Sequence, residues 1–358
     1  MINAFKYPSH LQSDTTMFSQ SPGGIEYNGN TPKTPIIPIK HTVEGLTRDV
    51  YIKPLHSHND YWRENPLFDA LSVGCRSIES DIWYFPNGFT LDRTLTETTT
   101  TDDNEISQVE RQQKLYFRND EIYVGHSEIF LKPINTLFNL YLNPLFQFLQ
   151  YTNPKTSESS WRDSSLAEKN GVYFNSPEEP VYLWFDFKTE PNNTYKALRP
   201  LLQPFIDNNF LAHYDSATGT FYPGPLILTI TGNLPIVEVE NERVRYVFLD
   251  APLSSFHEDQ DPELMKNYSK MCRVASSSLH HLLGGKTHKA QTRPFNDKQK
   301  TKIKGHIDMA HKYGLKTRVW GDVTWPYGIR DSHLKDLFKL GSDLLNVDDL
   351  KQAEQLFT

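Results

Sequence analysis

The stretch Val181-Tyr-Leu-Trp-Phe-Asp-Phe187 is apolar on both faces of any strand it forms, Asp186 alone excepted. Side chains alternate with a period of two along a strand, so such a strand has to be covered on both sides. Parallel sheets wrapped by helices meet that demand. Further strands read at 51–55, 77–83, 226–231, 245–249, 273–277, 315–320 and 344–347, with 121–125 set aside as a hairpin partner. Helical segments fill most of the intervals, at about 66–73, 194–207, 295–313 and 331–340. Another helix opens at Asn143-Pro144 and carries Leu145, Phe146 and Leu149 on its apolar face. Eight strands, mostly separated by helices, predict an α/β fold, a closed (β/α)8 barrel of the TIM type. Pro54 counts against 51–55, because proline takes a donor out of a central strand.

Residues 1–45 are rich in Ser, Pro, Thr, Asn and Gly and read as a disordered or loosely attached lead-in, which leaves 46–358 for the barrel. Two polar stretches, 87–113 and 152–172, read as surface insertions with little order. The net charge of −7 argues against a nucleic-acid partner. Two cysteines, Cys75 and Cys272, make no disulfide framework. No apolar run is long enough to span a bilayer, and the first residues lack the core of a signal peptide. No basic surface or amphipathic anchor for a membrane is evident. The default location is therefore cytoplasmic, and the oligomeric state is open.

Chemistry-bearing residues fall at the expected C-terminal ends of strands, where barrel enzymes place their sites. His56 and His58 follow the first strand. Glu79 and Asp81 lie two apart on the second and so share a face. Two carboxylates side by side are hard to keep without a cation between them, and Mg²⁺ and Ca²⁺ take oxygen ligands of this kind. The extra hairpin brings His126. The third strand ends in Asp186 and Lys188, again on one face, and the seventh in Trp320 and Asp322. Each alone has a plain structural reading, as a hydrogen-bonded histidine, an ion pair or a core tryptophan. Their recurrence at several strand ends favours a site.

The motifs His56-Ser-His-Asn-Asp-Tyr61, Glu79-Ser-Asp81, Val124-Gly-His126, Asp186-Phe-Lys188, Leu249-Asp-Ala-Pro-Leu253, Lys316-Thr-Arg-Val-Trp-Gly321 and Leu340-Gly-Ser-Asp-Leu-Leu345 together resemble the fungal altered inheritance of mitochondria protein 6 family. That family lies within the phospholipase-C-like phosphodiesterase superfamily, beside glycerophosphodiesterases and sphingomyelinase D. The resemblance covers roughly residues 48–355. It implies a metal-dependent phosphoric diester hydrolase acting on a small phosphodiester or a phospholipid, with an association with mitochondria. It also implies a divalent cation, Mg²⁺ or Ca²⁺, on Glu79, Asp81 and Asp186, and two catalytic histidines. One is His126. The other is His56, which directly follows the strand, or His58, whose spacing to Glu79 is closer. Lys188, Trp320 and Asn59 are implied to contact substrate. The His-Arg-Gly pattern of glycerophosphodiesterases is absent.

Two other readings compete. His56-x-His58 after a first barrel strand also opens the metal-dependent amidohydrolases, for which His280, His281 and Asp348 could supply further parts. In that case the fifth strand, ending Asp250-Ala-Pro252, lacks its histidine. The third reading is a non-catalytic barrel that binds a phospholipid.

Overall fold

The computed structural model describes residues 43–100, 106–153, 169–285 and 292–357. Most of the lead-in and of the 152–172 insertion lies outside this range. Eight parallel strands form the barrel: β1 Lys53–Ser57, β2 Cys75–Tyr84, β3 Val181–Phe187, β4 Leu226–Gly232, β5 Val247–Pro252, β6 Cys272–Ser278, β7 Lys316–Trp320 and β8 Leu344–Val347. Each pairs with the next, and β1 pairs with both β8 and β2, which closes the sheet. The expected (β/α)8 barrel is therefore present.

β3 shows why its sequence is apolar on both faces. Val181, Leu183, Phe185 and Phe187 point outward into the large core beneath the helices. Tyr182 and Trp184 point inward and join Ile227, Phe248, Val274 and Leu344 in a second core. Along the same inward face, the next residue toward the C-terminal end is Asp186. The interior thus changes from apolar to acidic near its mouth.

Several boundaries differ from the sequence reading. β1 runs to Ser57, so His56 lies inside the strand. Pro54 is tolerated because the pairing of β1 with β2 shifts register between Lys53 and His56. The missing donor falls in that irregularity. The helix expected at 66–73 occupies Phe68–Ser72, and that at 194–207 is split into Pro191–Leu201 and Gln203–Asp207. A helix at Pro262–Met271, capped by the Asp261 side chain, was not expected.

The 87–113 stretch requires a larger correction. It forms most of a long antiparallel hairpin, Phe89–Thr100 with Ile106–Phe117, in unbroken register. Aromatic rings anchor its base: Phe85 stacks on Phe89 with centroids 4.6 Å apart, and Phe117 meets Tyr123 edge-on at 4.9 Å. Threonine suits strands, and at the base Phe89, Leu91, Leu115 and Phe117 share a face packed with Tyr123 and Leu131, but the alternation is broken at Arg93 and Gln113. The short strand Ile122–Val124 then returns antiparallel to the end of β2. Cys75 and Cys272 are buried and free. Among the described residues no helix is long and apolar enough to cross a membrane.

Candidate active site

The pairing of β2 with β3 puts Asp81 beside Asp186. Glu79 lies one inward position below Asp81. One oxygen from each of Glu79, Asp81 and Asp186 lies within 4.8 Å of the others, and among the described residues this is the one such group of potential metal ligands. Gly232, which ends β4 with a φ of 72°, makes the space: a Cβ there would stand 2.1 Å from Asp186 Oδ1.

Two carboxylate charges at such a separation repel by about 3–4 kcal/mol at an effective dielectric constant of about 20. Burial and the neighbouring Asp186 push the Asp81 carboxyl up to about 6. Lys188 relieves part of the repulsion, with Nζ 2.6 Å from Asp186 Oδ2 and 3.1 Å from Asp81 Oδ2. Burial pulls this ammonium down, but the two carboxylates outweigh burial and raise it. Glu79 has a different counter-ion. Arg318, whose NH2 lies 3.4 Å from both Glu79 oxygens, is itself buried, stacks 4.9 Å over Trp184 and donates to Asn346 Oδ1 at 2.6 Å. Burial pushes Glu79 up, yet Arg318 and His56 hold it well below the usual carboxylate range.

The two histidines after the first strand have opposite environments. His56 faces the barrel interior with no exposed surface, its Nδ1 2.7 Å from Ser77 Oγ and its Nε2 3.5 Å from Glu79 Oε2. Burial and Arg318 pull its pKa down to about 3. His58 stands at the mouth, Nδ1 2.7 Å from Asp348 Oδ1 and Nε2 3.7 Å from Glu79 Oε2. An imidazole that donates from Nδ1 to a carboxylate keeps Nε2 free for proton exchange. His126 lies across the cluster, half-exposed, with Nδ1 3.2 Å from Tyr61 Oη and 3.5 Å from Asp81 Oδ2. It is held there because Gly125 N donates to Asp81 O.

The intervening motif holds these groups in place. Asn59, at a φ of 49°, is buried, and its Oδ1 accepts from Tyr61 Oη at 2.6 Å. Tyr61 Oη also lies 2.8 Å from Asp81 Oδ2. Asp60 is buried and accepts from Ser57 Oγ, Leu67 N and Tyr141 Oη, which fixes the loop after β1. Of the expected substrate contacts, Lys188 lies among the carboxylates and Trp320 is exposed at the end of β7. Asn59 is occupied by its neighbours. Asp322 turns away to bond His333 Nδ1 at 2.7 Å.

Two open cavities flank the cluster. One, of about 820 Å³, includes His58, Glu79, Asp186, Arg318 and Trp320, and its walls continue with Leu249, Leu264 and Met271. The other, of about 680 Å³, adjoins His126 and is lined by Trp62, Phe130 and Lys132. In the first, Asp250 is pushed up to about 6 by burial. Its Oδ2 accepts from Thr231 Oγ1 at 3.1 Å and from Ser276, while Oδ1 is buried without a partner. Arg318, Tyr61 and Asp250 escaped the sequence reading as members of this site, and Asp348 entered it only under the amidohydrolase reading. For Arg318 the signal was its position two before Trp320 on one strand face.

A hard cation suits the all-oxygen donor set, and the residual repulsion at Asp81 is what such an ion would relieve. The amidohydrolase arrangement finds less support. His56 and His58 both approach Glu79 Oε2 but join no group of three potential ligands among the described residues, Asp348 is engaged by His58, and His280 and His281 lie in a short helix beyond β6.

The closed (β/α)8 barrel gathers its carboxylates at the C-terminal mouth, where barrel enzymes hold their sites. The family described as AIM6-like phosphodiesterase domain matches residues 44–108 and 106–250. Proteins named Altered inheritance of mitochondria protein 6 align over most of the chain. The one from Eremothecium gossypii is 35% identical over 321 residues, covering 87% of this chain and 72% of its own. That from Saccharomyces cerevisiae (strain ATCC 204508 / S288c) is 33% identical over 338 residues, 89% of this chain and 75% of its own. The chain belongs to the altered inheritance of mitochondria protein 6 family. No solved structure matches it.

Proposed function

We propose that the protein is a metal-dependent phosphoric diester hydrolase. One observation carries this reading: Glu79, Asp81 and Asp186 meet beside Lys188 at the barrel mouth, with His58 and His126 on opposite sides. The three carboxylates would hold Mg²⁺ or Ca²⁺. When bound, the ion supplies positive charge against the phosphate oxygens.

The other work falls to side chains. Lys188 faces the phosphate and offsets the charge that builds up on it. His58, set by Asp348, and His126, set by Tyr61, divide the proton transfers. One imidazole takes the proton of the attacking hydroxyl as its oxygen bonds to phosphorus. The other gives a proton to the leaving oxygen as its bond to phosphorus breaks. A hydroxyl of the substrate itself serves as nucleophile and gives a cyclic phosphate, which water then opens with the two histidines in exchanged roles; direct attack by water on the diester reaches hydrolysis in one step. His56 has no route to substrate, and its role is to fill the interior beside Trp184. The family name supports an association with mitochondria.

The test is turnover of a panel of phosphodiesters with and without a chelator. His58→Ala and His126→Ala should each reduce turnover by about 10²–10⁴-fold while leaving the folded state intact. Wild-type rates in a folded His126→Ala protein, or turnover indifferent to chelator, would refute the assignment.

A further inference from the structure

In a closed parallel barrel, every segment that follows a strand leaves from the same end. That end carries most of the exposed apolar side chains. Of the fourteen large hydrophobic residues exposed among the described ones, nine follow strand ends at the mouth. Five are aromatic: Trp62 after β1, Phe130 after the hairpin that extends β2, and Trp320, Trp325 and Tyr327 at and after β7. The aliphatic members are Ile129 beside Phe130, Ile236 and Val237 after β4, and Leu264 after β5. Val237 is 64% exposed and Trp325 72%, so these are not the edges of buried residues.

We infer that this face docks on a lipid surface, with the ring of side chains entering the headgroup region. Three features single out this occupant. The exposed side chains border both cavities: Ile236, Leu264 and Trp320 line the one beside Glu79, and Trp62 and Phe130 line the one beside His126. A protein seated flush on the face would close the openings that must admit substrate, whereas a lipid surface supplies substrate through them. The side chains project from separate loops as a ring, without forming one flat patch. They are also rich in tryptophan and tyrosine, whose apolar bodies and polar tips suit the boundary between headgroups and acyl chains. The net charge of −7 gives no general attraction to anionic lipid, so apolar insertion dominates the adhesion and zwitterionic lipid suffices. The inference deepens the phosphodiesterase reading and rests on it for the step in which a docked lipid is cleaved.

The probe is a sedimentation assay of the full chain with phosphatidylcholine vesicles at about 0.1 M and about 0.5 M salt. Ile129→Ser, Val237→Ser and Tyr327→Ser combined remove apolar surface from three loops, and none of these residues lines either cavity. The wild type should bind nearly equally at both salt concentrations, and the triple variant at least about tenfold more weakly. Thermal stability and turnover of a water-soluble aryl phosphodiester should be unchanged. A wild type that stays in the supernatant, or a triple variant that binds as well, overturns the docking surface. So does a wild-type dimer that the triple substitution turns into a monomer, which would give the face to a second copy. Vesicle binding without turnover of any diester supports docking and counts against the hydrolase reading alone.

Discussion

The imidazole of His56 is enclosed by Ser77, Glu79, Trp184 and Arg318, while that of His58, two residues on, opens to the cavity. Enclosure has a measurable pH signature. The folded-state pKa of His56 lies near 3, against 6.5 for the ordinary side chain. Below pH 6.5 the unfolded chain therefore takes up a proton that the native state refuses. Stability is fully present above that pH and falls by up to about 1.4 kcal/mol per unit as the pH drops toward 3. Asp81 and Asp250, whose carboxyls are raised, act in the opposite sense over about pH 4–6. The difference between wild type and variant isolates the histidine. His56→Gln should lower stability at pH 7 but flatten its decline between pH 6.5 and 4.5, as read by urea unfolding. Parallel pH profiles for the two proteins would show that His56 is not held neutral. The period-two reading found Glu79, Asp81, Asp186 and Lys188, because those pairs share a strand face. It could not separate His56 from His58, which also share a face, since depth within a barrel depends on where the strand ends.

At the scale of elements, β4 contributes to the acidic cluster only by having no side chain at its last residue. Gly232→Ala should cost about 1–3 kcal/mol from strain at positive φ alone. It should also displace Asp186 and weaken divalent-ion binding by about tenfold or more, read by calorimetric titration. Unaltered ion affinity in the alanine variant would show that the crowding is relieved elsewhere. The sequence made the strands legible wherever one face was apolar. It failed for the Phe89–Phe117 hairpin because the apolar alternation, Phe89 and Leu91 opposite Phe117 and Leu115, spans two positions in each strand before Arg93 and Gln113 break it. It failed for Pro262–Met271 because the apolar stripe of Met265, Tyr268 and Met271 is only three residues long among polar neighbours.

At the scale of the whole molecule, barrel closure joins residues more than 200 positions apart. Glu79 on β2 meets Arg318 on β7, and His58 meets Asp348 just beyond β8. Such pairs leave no mark on local sequence, which is why the roles of Arg318 and of the Asp348–His58 pair were invisible there. The exposed ring at the mouth was hidden for the same reason: its members come one to three at a time from five strand ends. The cluster couples ion binding to the fold. Mg²⁺ or Ca²⁺ at about 100 times its dissociation constant should stabilise the chain by about 2.7 kcal/mol. That effect would appear as a rise in melting temperature, lost in Asp186→Asn. No shift with either ion would argue that Lys188 and Arg318 already balance the carboxylates. Beneath them, Trp184, Phe248, Val274 and Leu344 fill the barrel with apolar side chains, and Arg318 and His56 rest on Trp184. That floor is not itself part of the chemistry it carries. A lineage can retune which diester is cut, or give up cutting, and still inherit the same scaffold.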